Sequence, residues 1–459
     1  MQCSVIIPCH GGAALTEACV ASLLQQAGSH ELEILLVDNK NEPATAELAA
    51  LHPCIRVLPQ PHNRGFAGGV NQGLAVARHP YLLVLNNDTL AAPHLLTRLH
   101  ATLTADARIG IAAPVSNYVK GEARLDVGNR GATAAGLLAI EAELTSAAGI
   151  VQDVSSLSGL CLLLHRTTLE QLGPLDERFG HGNYEDDDWS LRARILGYRL
   201  VIARDAFLHH EGHQTFQSLG IDLKEQLALR RAQFVAKWQN DLAGAAVLCA
   251  ETDLLAAGPL AEAARKHYPR FLDADWILAR SYLARREPAA AAAHLGAFLR
   301  QCPRHTGAVA LLGSCLLHLC LFAQAEAVWR QGLQECWFEP RQAADILRQL
   351  GEAAHQRGLF ECAIANYETA LQILPGDPML ANALGVAHIG ARQFAEAIPL
   401  LERAAASGFA LAHTNLGICY FQLGDPQKAL AQFALASQKL PEDPTAQANH
   451  RLAQRAQLG

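Results

Sequence analysis

The chain opens on a short apolar run, "CSVIIPC" from Cys3 to Cys9, which gives way to "LTEACVASLLQQ". In the second stretch Leu15, Cys19 and Leu23 recur at spacings of four. Short apolar runs bounded by turn residues predict buried strands, and spacings of three and four predict helices. The alternation continues. "EILLVDN", "IRVLP" and "YLLVLNND" predict further strands, with "ATAELAALH" and "VNQGLAVARH" as helices between them. "HLLTRLHATL" then predicts a helix and "IGIAAPV" a strand. Strands separated by helical patterns make a mostly parallel sheet with helices on both faces, and ligands bind beyond the carboxyl ends of such strands. The polar residues at those ends are Asp38–Asn39 and Asn86–Asn87–Asp88. From Gly110 to about Ser156 the pattern weakens, with "TAAGLLAIEAELTSAA" as a helical stretch. "SLSGLCLLLHR" restores a strand, and "YEDDDWSLRARILGYRLVIA" a helix followed by a strand. This first pattern closes near "FLHHEGHQTF".

The second half is rich in Ala and Leu and has almost no strand pattern. It also repeats. Leu350, Gly351, Ala363, Tyr367, Ala370 and Pro375 return as Leu384, Gly385, Ala397, Leu401 and Ala404, and again as Leu416, Gly417, Ala429, Phe433, Ala436 and Pro441. Weaker copies start at Leu278–Ala279 and Leu312–Gly313, and a degenerate one spans about 241–269. The glycine-equivalent positions 279, 313, 351, 385 and 417 lie 34, 38, 34 and 32 residues apart. This spacing and pattern identify tetratricopeptide-like repeats, an all-α solenoid of five to six units closed by a polar helix. The expected organisation is an α/β domain over 1–220, a linker helix over 221–240 and repeats over 241–459.

Composition narrows the function. The chain has 459 residues, half of them apolar, and a net charge of −7. It therefore lacks the basic footprint of a nucleic-acid-binding protein. No secretory signal pattern and no apolar run of spanning length stand out, so the expected setting is cytoplasmic and bacterial, at most peripheral to the inner membrane face. The 12 cysteines show no C-x-x-C pair and are expected to be buried thiols.

Each polar cluster has a plain structural alternative. A strand-end Asp suits a turn or cap. The loop "PHNRGFAGGVNQGL" fits neither phosphate-binding glycine motif, so its glycines can serve packing alone. The four carboxylates of "YEDDDWSLR" suit a helix N-terminus. The histidine pair in "HHEGH" suits a surface strand end.

Taken in order, "SVIIPCH", "LLVDN", "NRGFAGGVNQG", "LNNDT" and "EDDDWSLRARILGYRL" resemble the family 2 inverting nucleotide-sugar glycosyltransferases of GT-A fold, over about Cys3 to Phe216. The resemblance implies that "NND" holds the place of the D-x-D metal motif. Asp88 is then the main carboxylate ligand of Mn²⁺ or Mg²⁺, with Asn86 offering an amide oxygen and Asn87 beside the nucleotide. A hard cation bound by one or two carboxylates plus substrate phosphates suits this set. By resemblance Asp38 contacts the nucleotide base, Pro8 and His10 line the same pocket, and Asn63, Arg64 and Gly65 approach the nucleotide. The family's E-D-x-D falls on Glu185, Asp186, Asp187 and Asp188. Asp186 is the expected general base, with Asp187 the alternative. Trp189 and Arg192 are expected to be structural. The tail H-x-x-G-x-[ST] falls on His209, Gly212 and either Thr215 or a neighbour, with His209 the favoured metal ligand and His210 left open. The donor implied by the resemblance is a UDP-, dTDP- or GDP-sugar. The acceptor is a protein brought by the repeats or, alternatively, a surface glycan. A different class of reading is a repeat scaffold carrying a relic domain.

Overall fold

The computed structural model describes residues 1–119, 121–128, 130–180, 182–212, 222–335 and 337–457. The chain divides into two compact units, Met1–Cys315 and Leu316–Gly459.

The first unit begins as an α/β domain. In order it comprises β1 (Gln2–Cys9), α1 (Ala13–Leu24), β2 (Glu31–Asp38), α2 (Pro43–Glu47), β3 (Ile55–Pro59), α3 (Gly65–Val76), β4 (Tyr81–Leu85), β5 (Thr89–Ala91) and α4 (Leu95–Thr104). Then come β6 (Ile109–Ser116), α5 (Ala134–Glu143), β7 (Val151–Val154), β8 (Cys161–His165), α6 (Arg166–Leu172), α7 (Glu185–Ile195) and β9 (Arg199–His210). The sheet runs β3-β2-β1-β4-β8-β6-β9-β5, and β7 also pairs with β9. β1 to β4, β6 and β9 point one way; β5, β7 and β8 run against them. Both faces are buried, as alternation demands. Val5 and Ile7 face a core with Cys19, Val20 and Leu99, while Ile6 faces the opposite core with Val70, Leu74 and Trp189. The short strands β5 and β7 carried too few residues for the sequence pattern to reveal.

The glycines of "NRGFAGGVNQGL" mostly serve packing. A Cβ on Gly69 would lie 2.8 Å from Asn39 Nδ2, and one on Gly73 would overlap Ile6 Cγ2. α3 thus presses directly on β1 and β2. Gly73→Ala is expected to destabilise the protein by about 1–3 kcal/mol through overpacking, read as a lower urea midpoint. Gly65, with φ 71°, alone of these needs glycine for its backbone.

α8 (Leu223–Trp238) is not a free linker. Its Phe234 and Trp238 pack with Phe179 and Leu191 of the α/β domain and with Ala243 and Ala246 beyond it. Three helices follow as close neighbours, α9 (Leu242–Ala250), α10 (Leu254–His267) and α11 (Asp273–Ala284), then α12 (Pro288–Gln301) and the start of α13 (Thr306–His318). The first compact unit therefore takes in the early repeats, beyond the expected boundary at 220. Buried Arg194 of α7 donates from Nε to Asp273 of α11 at 2.7 Å and from Nη1 to Val154 O at 3.0 Å. Arg199 grips Asp153 in the same region, and Asp153 Oδ2 also accepts from the Arg304 amide at 2.9 Å.

The second unit is helical. It holds α14 (Phe322–Gln334), α15 (Pro340–Gln356), α16 (Phe360–Ile373), α17 (Pro378–Gly390), α18 (Phe394–Ala406), α19 (Leu411–Gln422), α20 (Pro426–Lys439) and α21 (Pro444–Gln457). The repeat glycines sit where paired helices cross. A Cβ on Gly351 would lie 2.7 Å from the Tyr367 ring, one on Gly385 2.7 Å from Leu401, and one on Gly417 2.5 Å from the Phe433 ring. The large residue of the second helix thus fills the space the glycine leaves in the first. Among the described cysteines seven are buried, whereas Cys320 and Cys362 are exposed, so the expectation of buried thiols holds for only part of the set. No described helix is long and apolar enough to cross a membrane.

Candidate active site

The neighbours of β1 lie on opposite sides in chain order: β2 follows it through α1, and β4 follows β3 through α3. This reversal opens a crevice at the carboxyl ends of β1 and β4. A cleft of about 920 Å³ occupies it. Pro8 and His10 line it from the end of β1, Asn63 and Gly65 from the loop before α3, and Asn86, Asn87 and Asp88 from the end of β4. Glu185, Asp186 and Asp187 reach it from the first turn of α7, and His210 from the end of β9.

The β4–β5 turn places Asp88. Asn86 N donates to Leu160 O at 3.0 Å, and Asn87 turns its amide inward to Thr16 Oγ1 at 2.9 Å and Gly11 O at 3.3 Å. Asn87 thus braces the loop rather than offering its amide nitrogen to a ligand. β5 pairs with β9 so that Thr89 lies opposite His210. That register brings His210 Nε2 to 3.3 Å from Asp88 Oδ2. Strand alternation sends His209 the other way: it is buried, packs against Gly131 and meets Glu211 at 3.3 Å. His210, not the favoured His209, therefore faces Asp88. His213 and Thr215 lie outside the described residues.

His210 is oriented by a segment whose role the sequence left unread. Its backbone N–H donates to Asn117 Oδ1 at 2.8 Å, its carbonyl accepts from Asn117 Nδ2 at 3.1 Å, and its Nδ1 lies 2.7 Å from Tyr118 O. A carbonyl only accepts, so Nδ1 carries the hydrogen. Nε2 then faces Asp88 either as an imidazolium or across a shared cation. Burial by itself would lower the imidazole's pKa, but the Asp88 hydrogen bond and charge and the Tyr118 carbonyl hold it above the ordinary value.

Two expected nucleotide contacts are occupied elsewhere. Asp38 is buried, and its carboxylate accepts from the amides of Lys40, Asn41 and Glu42 at 2.9–3.1 Å. It caps its own loop and does not line the cleft; its neighbour Asn39 does, bonding Gly65 O at 3.1 Å. Arg64 pairs with Glu177 at 3.1 Å and is also absent from the lining.

The four carboxylates of α7 separate by environment. Asp188 is fully buried and takes Arg192, Lys237 and the Trp238 indole, which ties α7 to α8. Trp189 donates to Gly173 O and Arg192 to Leu172 O and Pro174 O, structural as expected. Asp186 stands at the cleft, its Oδ2 accepting from Gly159 N at 2.8 Å and its Oδ1 from Asp187 N at 3.0 Å. Asn183 and Tyr184 precede the helix with φ of 74° and 71°, a conformation that Asn adopts readily but that is costly for Tyr and clusters at functional sites.

Glu185 is buried, and burial first, then the charges of Asp186 and Asp187, push its pKa well above the carboxylate range despite nearby Arg230. A raised folded pKa means the contribution of Glu185 to stability is full below its unfolded value of about 4.3 and is lost as pH rises toward the folded one. Each pH unit over which only the folded state keeps the proton costs about 1.4 kcal/mol. Glu185→Gln is therefore expected to match wild type near pH 4 and to be the more stable protein at pH 7. Thermal midpoints that stay parallel from pH 4 to 8 would contradict this.

The fold is an α/β domain with a mixed sheet and a cleft at its switch point, followed in the chain by consecutive paired helices of tetratricopeptide-like spacing. Residues 4–138 match Glycosyl transferase family 2, and residues 278–340 and 382–446 match the tetratricopeptide repeat. The uncharacterized protein Rv1525 of Mycobacterium tuberculosis is 28% identical over 222 residues, 46% of this chain and 74% of its own length, as is Mb1552 of Mycobacterium bovis. Solved structures similar to this chain include that of GalNAc-T7 with UDP, GalNAc and Mn²⁺, at 16% identity and a TM-score of 0.40, covering 52% of this chain. The chain spans about half, 48%, of the GalNAc-T7 chain. The repeat protein YrrB is similar at 16% identity and a TM-score of 0.36, covering 42% of this chain and 97% of its own.

Proposed function

We propose that the chain is a metal-dependent inverting glycosyltransferase, moving a sugar from a nucleotide-sugar to an acceptor brought by the repeats. The observation that carries this reading is the convergence of Asp88, His210 and Asp186 on one cleft at the switch point of the sheet. Pro8, His10, Asn39, Asn63 and Gly65 form the nucleotide end of the cleft. Asp88 and His210 are the donors for Mn²⁺ or Mg²⁺, with the Asn86 amide oxygen beside them. Among the described residues no cluster of three or more His, Cys, Asp or Glu surrounds a metal position. Such a set suits an ion completed by water and substrate phosphate. When bound, the ion offsets charge on the departing nucleoside diphosphate. Asp186 takes the proton from the acceptor nucleophile as that attacks the anomeric carbon opposite the diphosphate. The new bond to the acceptor forms as the sugar–phosphate bond breaks, and configuration inverts. Asp188 is already held by Arg192, Lys237 and Trp238, so the base is Asp186 or its neighbour Asp187.

The test is nucleotide release from UDP-, dTDP- and GDP-sugars with Mn²⁺ or EDTA. One donor class is expected to be hydrolysed slowly with Mn²⁺ and not with EDTA. Asp88→Ala is expected to lose about 10²–10³-fold, the usual effect of removing one electrostatic stabiliser. No donor binding or turnover under any condition would favour the scaffold reading.

A further inference from the structure

The far end of the cleft is walled by the early repeats. Trp276 of α11 lines it together with His305 and Gly307. The Trp276 indole is half-buried and held in place: it stacks on Phe298 with centroids 5.7 Å apart, meets His305 at 4.9 Å and has the Arg280 guanidinium 5.6 Å from its centroid. His305 Nδ1 accepts from the Ala308 amide at 3.2 Å, and burial lowers its pKa to about 4, so it stays neutral.

A short path joins this wall to the candidate base. Arg194 bonds both Val154 O and Asp273, which locks the end of β7 to the start of α11. Residues 155–159 then lead to Gly159, whose amide donates to Asp186. Five residues span at most about 17 Å. On the way Ser155, Ser156 and Ser158 present exposed side chains to the cleft. At the same cleft two buried polar atoms have no protein partner, Glu185 Oε2 and Asn183 Nδ2, and Glu185 is only 5% exposed. Buried polar atoms left unpaired are costly and cluster where a site stores strain or takes a water.

A fixed indole beside exposed hydroxyls suits a pyranose. Its C–H face is apolar, and each rim hydroxyl both donates and accepts. An extended polypeptide would ask instead for a sheet edge or a run of side-chain pockets. We propose that the acceptor enters this cleft as a saccharide, one ring against the exposed part of Trp276 and its hydroxyls on the exposed serine segment. The early repeats thereby build the acceptor subsite. This rests on the transferase reading for its direction: a hydroxyl oxygen of that saccharide forms the glycosidic bond, its proton passes to Asp186, and the diphosphate leaves with the electrons of the broken bond.

The test is ligand-observed saturation-transfer NMR on the full chain with methyl glycosides of glucose, galactose, mannose, rhamnose, fucose, N-acetylglucosamine and N-acetylgalactosamine. At least one glycoside is expected to bind, with its ring protons receiving the strongest transfer. Trp276→Leu is expected to weaken that Kd by about tenfold or more, whereas Trp276→Phe retains most of it. If the leucine variant fails to fold, Ser156→Trp carries the test, since it plugs an exposed position between the wall and Asp186 and is expected to abolish binding. No glycoside bound by wild type, equal binding by folded Trp276→Leu, or unchanged binding by Ser156→Trp would overturn the proposal. Donor hydrolysis is measured in parallel. Its presence without saccharide binding removes only this inference; saccharide binding with neither donor binding nor hydrolysis favours the scaffold reading and leaves Trp276 as a saccharide site.

Discussion

Replacing Asp186 with Asn is expected to lower kcat by about 10²–10⁴-fold, the range a positioned general base contributes. Asn is nearly the same shape but keeps only one oxygen for the amides of Gly159 and Asp187, so the unfolding midpoint is read beside kcat, while the donor Kd should stay as it is. The loss should fall on kcat and kcat/KM alike, the pattern of an interaction made only in the transition state. Asp187→Asn is the necessary comparison, because both carboxylates reach the cleft. Single-turnover transfer by the two variants decides between them: the base is the one whose amide loses the larger factor. If neither loses tenfold, the proton goes elsewhere and the assignment of α7 fails. Asp188→Asn should behave differently. It breaks contacts to Arg192, Lys237 and Trp238, and so should lower the unfolding midpoint more than its chemistry.

The second large effect is expected far from the chemistry. Asp273→Ala removes the carboxylate that pairs with Arg194, whose side chain is 1% exposed. Leaving a buried guanidinium without its partner costs about 3–5 kcal/mol. A neutral double variant, Arg194→Met with Asp273→Leu, should recover most of this, because well-packed apolar residues often replace a buried pair at little loss. Urea unfolding of the three proteins separates the cases. The same pair predicts that a chain ending near residue 240 does not yield a stable transferase domain, since it loses Asp273 and the packing of α9 to α11 on Phe234 and Trp238. A soluble fragment of residues 1–240 with wild-type thermal stability would show that the early repeats are dispensable to the fold.

Much of this was legible from the chain alone, for local reasons. The buried strands of the sheet are continuous apolar runs, so their ends showed where a crevice had to lie. The places of Asp88 at a strand end and of Asp186 at a helix start were readable from local pattern, while the roles proposed for them came from the family resemblance. The repeats were readable because each helix pair needs the same glycine at the same crossing. The contacts that the sequence did not show have a common cause. Asp38 and Asp88 look alike as strand-end carboxylates, yet three amides of its own loop claim Asp38 while Asp88 is left for His210. Arg64 looks like a phosphate ligand until Glu177, over a hundred residues away, takes it.

The sequence by itself determined the two architectures, the end of the sheet where the cleft lies, and the run of carboxylates that reaches it. These follow from periodicity and from residue types, which act within a few residues of chain. The tertiary structure decided which of two adjacent histidines meets Asp88, through the register of β5 on β9. It decided that Asn117 and Tyr118 hold that histidine and that Asp188 is a strut rather than a base. It also decided that the early repeats wall the cleft with Trp276. Each of these depends on a partner brought close only by folding, and side-chain geometry between distant segments leaves no periodic trace along the chain.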